Sequence, residues 1–330
     1  MGDMSMEALR QNETDFHGWL PIRIWPEQGH WWVDWCWFGS EVLCEPFFRD
    51  SVQKALRKPF NQALRRLTGI EALLDWQARS PAPAPRAFIH HASRCGSTLI
   101  AQLLTQLDSH TVLSEPPPLD AVLRAHFFDP TSAPHQAAWT RALFCAYGQP
   151  RRGGDSELVI KLDAWNVFEA DFLRALYPQT PAIFLYRDPL EIVVSQLRQP
   201  GAHMVPGMIG PSLLAIPAEE AFEVSPLEFA ARCIGMILQR GLELCRTGGA
   251  VPVNYSELPG AVWGRLAEML GVPQEAAGRL ADAAGRDAKQ PGMSFSPDSA
   301  RKRAEASAET RAAVERWARG PYEGLERLRL

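Results

Sequence analysis

Residues 87–104, AFIHHASRCGSTLIAQLL, constrain this chain more than any other stretch. They read as a short apolar strand (87–91), a tight polar turn (93–96) and the first turns of a helix. The helix begins at Ser97 or Thr98, good N-terminal residues, and sets Leu99, Ile100, Leu103, Leu104 and Leu107 at helical spacing. A strand that feeds a helix through small residues gathers backbone N–H groups at one spot, and the helix dipole adds partial positive charge there. Arg94 brings a full charge and a fork of donors, and Ser97 and Thr98 bring hydroxyls. The stretch is expected to cradle an anion such as phosphate or sulfate.

The rest of the composition narrows the setting. A net charge of −4 over 330 residues argues against nucleic acid as a partner, so basic residues are expected to act locally, where an anionic ligand sits. Cys36, Cys44, Cys95, Cys145, Cys233 and Cys245 are scattered, with no C-x-x-C pair and no His/Cys cluster. They read as reduced thiols of a cytoplasmic protein, and no metal is expected. Residues 1–14 are polar and acidic and do not read as a signal segment, and no apolar run reaches membrane-spanning length.

Two regions are expected. Residues 1–80 include a cluster of six of the eleven tryptophans (Trp19, Trp25, Trp31, Trp32, Trp35, Trp37) and read as a strand pair joined by residues 26–29, then helices at 46–56 and 60–77. The tryptophans are taken as a sheet face packed on the main domain rather than a ligand-stacking surface. Residues 80–85, SPAPAP, form an extended linker. From residue 86 to 330 strands alternate with helices: 87–91, 111–114, 158–162, 182–186 and 251–255 are strands. That order predicts an α/β fold, a three-layer α/β/α sandwich around a parallel sheet of about five strands, of P-loop nucleotide-binding type. Ligands in such sheets bind beyond the carboxyl ends of the strands.

Four strand-end turns carry polar chemistry: the cradle; Glu115 after the second strand; Lys161 and Asp163 around the third; and Arg187-Asp188-Pro189 after the fourth, with Ser195 eight residues beyond Arg187. An ATP or GTP loop needs G-x-x-x-x-G-K-[ST] and a dinucleotide fold needs G-x-G-x-x-G; neither is present. Instead the basic residue precedes the glycine, as Arg94-Cys95-Gly96-Ser97-Thr98-Leu99. At these residues the chain resembles the sulfotransferase family, in its bacterial and Golgi-type branch. The resemblance spans about residues 86–265, with a weaker echo at Val253-Asn254-Tyr255-Ser256-Glu257-Leu258.

The resemblance implies a donor, 3′-phosphoadenosine 5′-phosphosulfate (PAPS), and transfer of its sulfuryl group to a hydroxyl or amine of a small-molecule or carbohydrate acceptor. It implies that Ser93, Arg94, Cys95, Gly96, Ser97, Thr98 and Leu99 hold the 5′-phosphosulfate, and Arg187 and Ser195 the 3′-phosphate. It implies a general base at Glu115, with Asp163 as the alternative; the structural alternatives are a cap or ion-pair partner ahead of Pro116 for Glu115 and a helix cap for Asp163. Lys161 is expected either to stabilise the leaving oxygen or to stand as a solvated strand-end charge. Cys95 and the pair His90/His91 are expected to be structural. Residues 199–224 form either an acceptor-side lid or an ordinary surface excursion. Residues 296–319 read as a charged, solvated helix capped by Ser296 or Asp298, and Lys289 and Arg301 are candidates to reach the nucleotide. Two rival classes stand beside this one: a P-loop kinase or nucleotidase, and a non-catalytic nucleotide-binding protein of the same fold. A homodimer is left open.

Overall fold

The computed structural model describes residues 15–211, 216–285 and 298–329. Five short strands, β4 (Ala87–His91), β5 (His110–Ser114), β6 (Glu157–Lys161), β7 (Ala182–Tyr186) and β8 (Val251–Asn254), pair in parallel in the order β5-β6-β4-β7-β8. Side chains alternate across a strand, and each strand here is apolar on both faces. Ile89, Val159 and Leu185 pack on one side with Ile100, Leu103 and Leu104 of the helix Ser97–Leu104. Phe88, Leu158 and Ile160 face the other side with the helix Gln136–Tyr147, and Phe184 and Tyr186 meet the long helix Pro226–Arg246 there. The result is the expected three-layer sandwich. Because the strands are parallel and β4 is central, flanked by β6 and β7, the turns after β4, β5, β6 and β7 converge at one sheet edge.

The N-terminal segment forms a separate antiparallel sheet, β1 (Trp19–Glu27), β2 (His30–Trp37) and β3 (Arg66–Gly69). The hairpin connection is tighter than its sequence suggests. Only Gln28 and Gly29 lie outside the strands, and both have positive φ (52° and 77°), as a two-residue primed turn requires. Trp35 is fully buried and stacks on Phe16 at 4.1 Å; Trp31 meets Trp139 of the main layer at 5.0 Å. Tyr147 Oη donates to Pro21 O at 3.0 Å. The tryptophan sheet therefore shares one core with the parallel sheet, and none of its six tryptophans reaches the strand-end cavity described below.

Two sequence expectations are corrected. Residues 60–77 are not one helix: Leu64 and Arg65 break the pattern, β3 pairs with β2, and the helix Glu71–Arg79 follows. Strand pairing gives Thr68 Oγ1 a partner, the Trp35 indole N–H at 2.9 Å. The tail is likewise not a solvated helix. It breaks after Glu305, restarts with Ser307 as cap at Ala308, and buries Val314, Ala318 and Leu325 against the long helix. Ser296 lies outside the described residues. No helix among the described residues is long and apolar enough to cross a membrane.

Candidate active site

The cradle is built from a turn that most residues avoid. Ser93, Arg94 and Gly96 have φ of 63°, 49° and 90°. A non-glycine residue in that region costs on the order of 1–2 kcal/mol, so the surroundings must hold the turn. They do so from three directions. Ser93 N donates to His91 Nδ1 at 3.0 Å, Gln196 Nε2 donates to Ser93 Oγ at 2.9 Å, and Arg94 Nη2 donates to Gln199 O at 2.6 Å. Gly96 is required twice over, by its φ and by space: a Cβ there would stand 2.8 Å from Tyr255 Cδ2 and 3.0 Å from Leu258 Cδ1. The first helical bond, Leu99 N to Gly96 O, spans 2.9 Å, and the amides before it have no carbonyl one turn back. Cys95 is inert. Its thiol donates to Leu185 O at 3.2 Å, and burial pushes it up to about 12, far from a thiolate at neutral pH.

Glu115 enters from β5 with φ of 53°, pinned by its N–H to Lys161 O at 2.7 Å. Its Oε1 accepts from Lys161 Nζ and lies 3.3 Å from His91 Nε2. Because His91 Nδ1 accepts from Ser93, the ring hydrogen is assigned to Nε2, which faces Glu115. Burial works to raise the Glu115 pKa, but Lys161 and His91 outweigh it and hold the carboxyl well below its usual range. Lys161 is fully buried, so it is not the solvated strand-end charge that was one of its two expected states; Glu115 satisfies it. Asp163 is the opposite case. Burial, then the charges of Glu115 and Asp120, push it well above the carboxylate range. It also stands at the start of the turn Ala164–Glu169, where its N–H donates to Asn166 Oδ1 at 3.2 Å, so the cap role is present. His90 points into the opposite layer, and burial lowers it to about 3.

Arg187 sits at the end of β7. Glu191 takes its Nε, Asp298 Oδ1 and Ser299 Oγ each accept from Nη2 at 2.8 Å, and its guanidinium stacks on Tyr255 at 4.1 Å. Ser195 is half-buried two turns along the helix Pro189–Arg198.

These groups surround one cavity of about 840 Å³. Ser93 through Leu99, Glu115, Asp163, Arg187 and Ser195 all line it; Lys161 does not, and lies behind Glu115. The cavity also takes residues that sequence reasoning missed. Tyr255 belongs to the weak third echo, which gave no role for it. Phe47 comes from the N-terminal segment, and Asp298 and Lys302 from the tail. His203 is buried on residues 199–211, packs on Trp165 at 5.3 Å, and burial lowers it to about 4. Residues 199–203 and Met208 wall the cavity, and Arg124 fastens that segment by donating to Ile209 O at 2.7 Å and Pro211 O at 2.8 Å. Arg301 is exposed, pairs with Glu305 at 3.9 Å and does not line the cavity; Lys289 lies outside the described residues.

No family profile matches the chain, and no curated protein matches it in sequence. Among solved structures, one that is similar is the sulfotransferase domain from the Synechococcus PCC 7002 olefin synthase. It shares 18% identity, covers 71% of this chain and 94% of its own, and superposes with a TM-score of 0.37. A likeness that distant carries no argument about chemistry, which rests on the cavity itself.

Proposed function

We propose that the protein is a sulfotransferase that moves the sulfuryl group of PAPS to a hydroxyl or amine of a small-molecule or carbohydrate acceptor. The observation that carries this reading is the presence of two separate anion sites in one cavity, the cradle and Arg187, with an ionised carboxylate between the strand ends. The residues fit such a donor. Gly96 allows the left-handed backbone that shapes the turn, and Arg94, Ser97 and Thr98 supply charge and hydroxyls at the 5′ end. Arg187 and Ser195 supply the remote contact that orients the 3′ end. The bound donor provides an activated sulfuryl group whose charge the cradle neutralises.

Glu115 is the general base in this account rather than Asp163, because a base must be ionised before it can accept a proton; the neighbours of Glu115 favour its charged form, whereas burial disfavours that of Asp163. Lys161 tempers Glu115. Negative charge arriving in the cradle acts on Glu115 through space, against the pull of Lys161, and raises its basicity. Arg187→Ala and Glu115→Gln separate the roles. Arg187→Ala is expected to weaken binding of 3′,5′-ADP, on the order of 10–100-fold for a lost charge-assisted contact. Glu115→Gln is expected to keep that binding and lose turnover on the order of 100-fold or more. Full turnover in Glu115→Gln together with its loss in Asp163→Asn would reverse the assignment of the base.

A further inference from the structure

The anion site around Arg187 already holds an anion, and that anion belongs to the chain. Asp298 Oδ1 accepts from Arg187 Nη2 at 2.8 Å, and its other oxygen lies 2.7 Å from Lys302 Nζ, so one carboxylate bridges two cations. The Lys302 side chain is only 7% exposed, and an ammonium so buried needs a counter-charge, which Asp298 supplies. Asp298 occupies the cap position of the helix Ser299–Glu305, yet its side chain makes no capping bond. Its carboxylate is spent on the cations and not on the helix. Glu191 does not compete for this role. It is 2% exposed and clamps Arg187 Nε from behind, with Arg303 Nε on its second oxygen at 2.7 Å. Asp298 and Lys302 both line the cavity that Arg187 lines.

We propose that Asp298 is an internal competitor for the 3′-phosphate of the donor. Its carboxylate fills the place between Arg187 and Lys302 that phosphate oxygens take on binding, and Lys302 is the second cation that then holds the phosphate. The inference rests on the donor reading above. It adds a source of selectivity. A phosphate brings more charge and more acceptor oxygens than a carboxylate and so displaces it. A nucleotide without a 3′-phosphate offers Arg187 and Lys302 nothing in exchange and leaves Asp298 in place.

The test is calorimetric titration of the full chain with 3′,5′-ADP and, separately, with 5′-AMP. Asp298→Asn is expected to tighten 3′,5′-ADP on the order of tenfold and to leave 5′-AMP within about twofold. Lys302→Met is expected to weaken 3′,5′-ADP on the order of tenfold, both alone and in the Asp298→Asn background, where no unpaired carboxylate complicates the result. Unchanged or weaker 3′,5′-ADP binding by Asp298→Asn, with wild-type binding intact, overturns the competition and leaves the donor reading standing. Equal tightening of both nucleotides also overturns it. If neither wild type nor Asp298→Asn binds 3′,5′-ADP, the donor reading fails and this inference fails with it.

Discussion

Replacing Lys161 by methionine isolates the pair on which the site's electrostatics turn. Lys161 is fully buried and Glu115 is 24% exposed, so the substitution leaves a mostly buried carboxylate without its ammonium partner. Breaking a buried ion pair from one side costs about 3–5 kcal/mol, and the partial exposure of Glu115 places the loss at neutral pH nearer about 2–3 kcal/mol. The pH dependence follows from the sign of each shift. In the wild type the Glu115 pKa lies below its unfolded value of about 4.3, so its stabilisation is present above that pH and is lost as pH falls through the folded value. In Lys161→Met burial dominates and the folded pKa rises above the unfolded one. Ionised Glu115 then costs stability, and the cost is relieved as pH falls through that raised value toward the unfolded one. Urea denaturation at pH 7 and pH 5 is expected to show a deficit that shrinks on acidification, and Lys161→Met/Glu115→Gln is expected to recover much of it. A deficit independent of pH, or a double variant no more stable than the single one, would refute the pairing.

Gly96→Ala is expected to destabilise by about 2–4 kcal/mol, from the left-handed backbone plus the forced shift of Tyr255 and Leu258, and to weaken 3′,5′-ADP because Tyr255 supports Arg187; denaturation and titration of one preparation check both. Asp163→Asn is expected to flatten the stability profile above the unfolded carboxyl pKa of about 3.9. The raised pKa of Asp163 makes wild-type stability fall as pH rises from that unfolded value through the folded one, and the amide cannot ionise; an unchanged slope over that range would contradict the assignment.

The strand-end chemistry was legible because its signals are local. An apolar run, a turn of small residues and a capped helix lie in consecutive positions around Gly96, and the same holds for Tyr186, Arg187 and Pro189. What each charge does was not legible, because it depends on partners brought together by register. Ser114 pairs with Lys161 across β5 and β6, which puts Glu115 over the lysine and decides which carboxyl stays ionised. Asp298 reaches Arg187 across 111 positions, and nothing local marks it as other than a helix cap. His203 lies in a proline- and glycine-rich stretch whose path is set by the nearby Gln196 and by Arg94 and Arg124, both distant in sequence. Residues 60–77 misled for a related reason: helical propensity there gives way to pairing with β2.

The central claim is that the cavity takes a nucleotide with phosphate at both the 5′ and 3′ positions. Its most direct test is the unfolding free energy of the wild-type chain with 3′,5′-ADP against that with ATP and Mg²⁺. At a hundredfold excess over Kd a bound ligand adds about 3 kcal/mol. The account predicts that gain with 3′,5′-ADP and little with ATP; stabilisation by ATP with none from 3′,5′-ADP would contradict it.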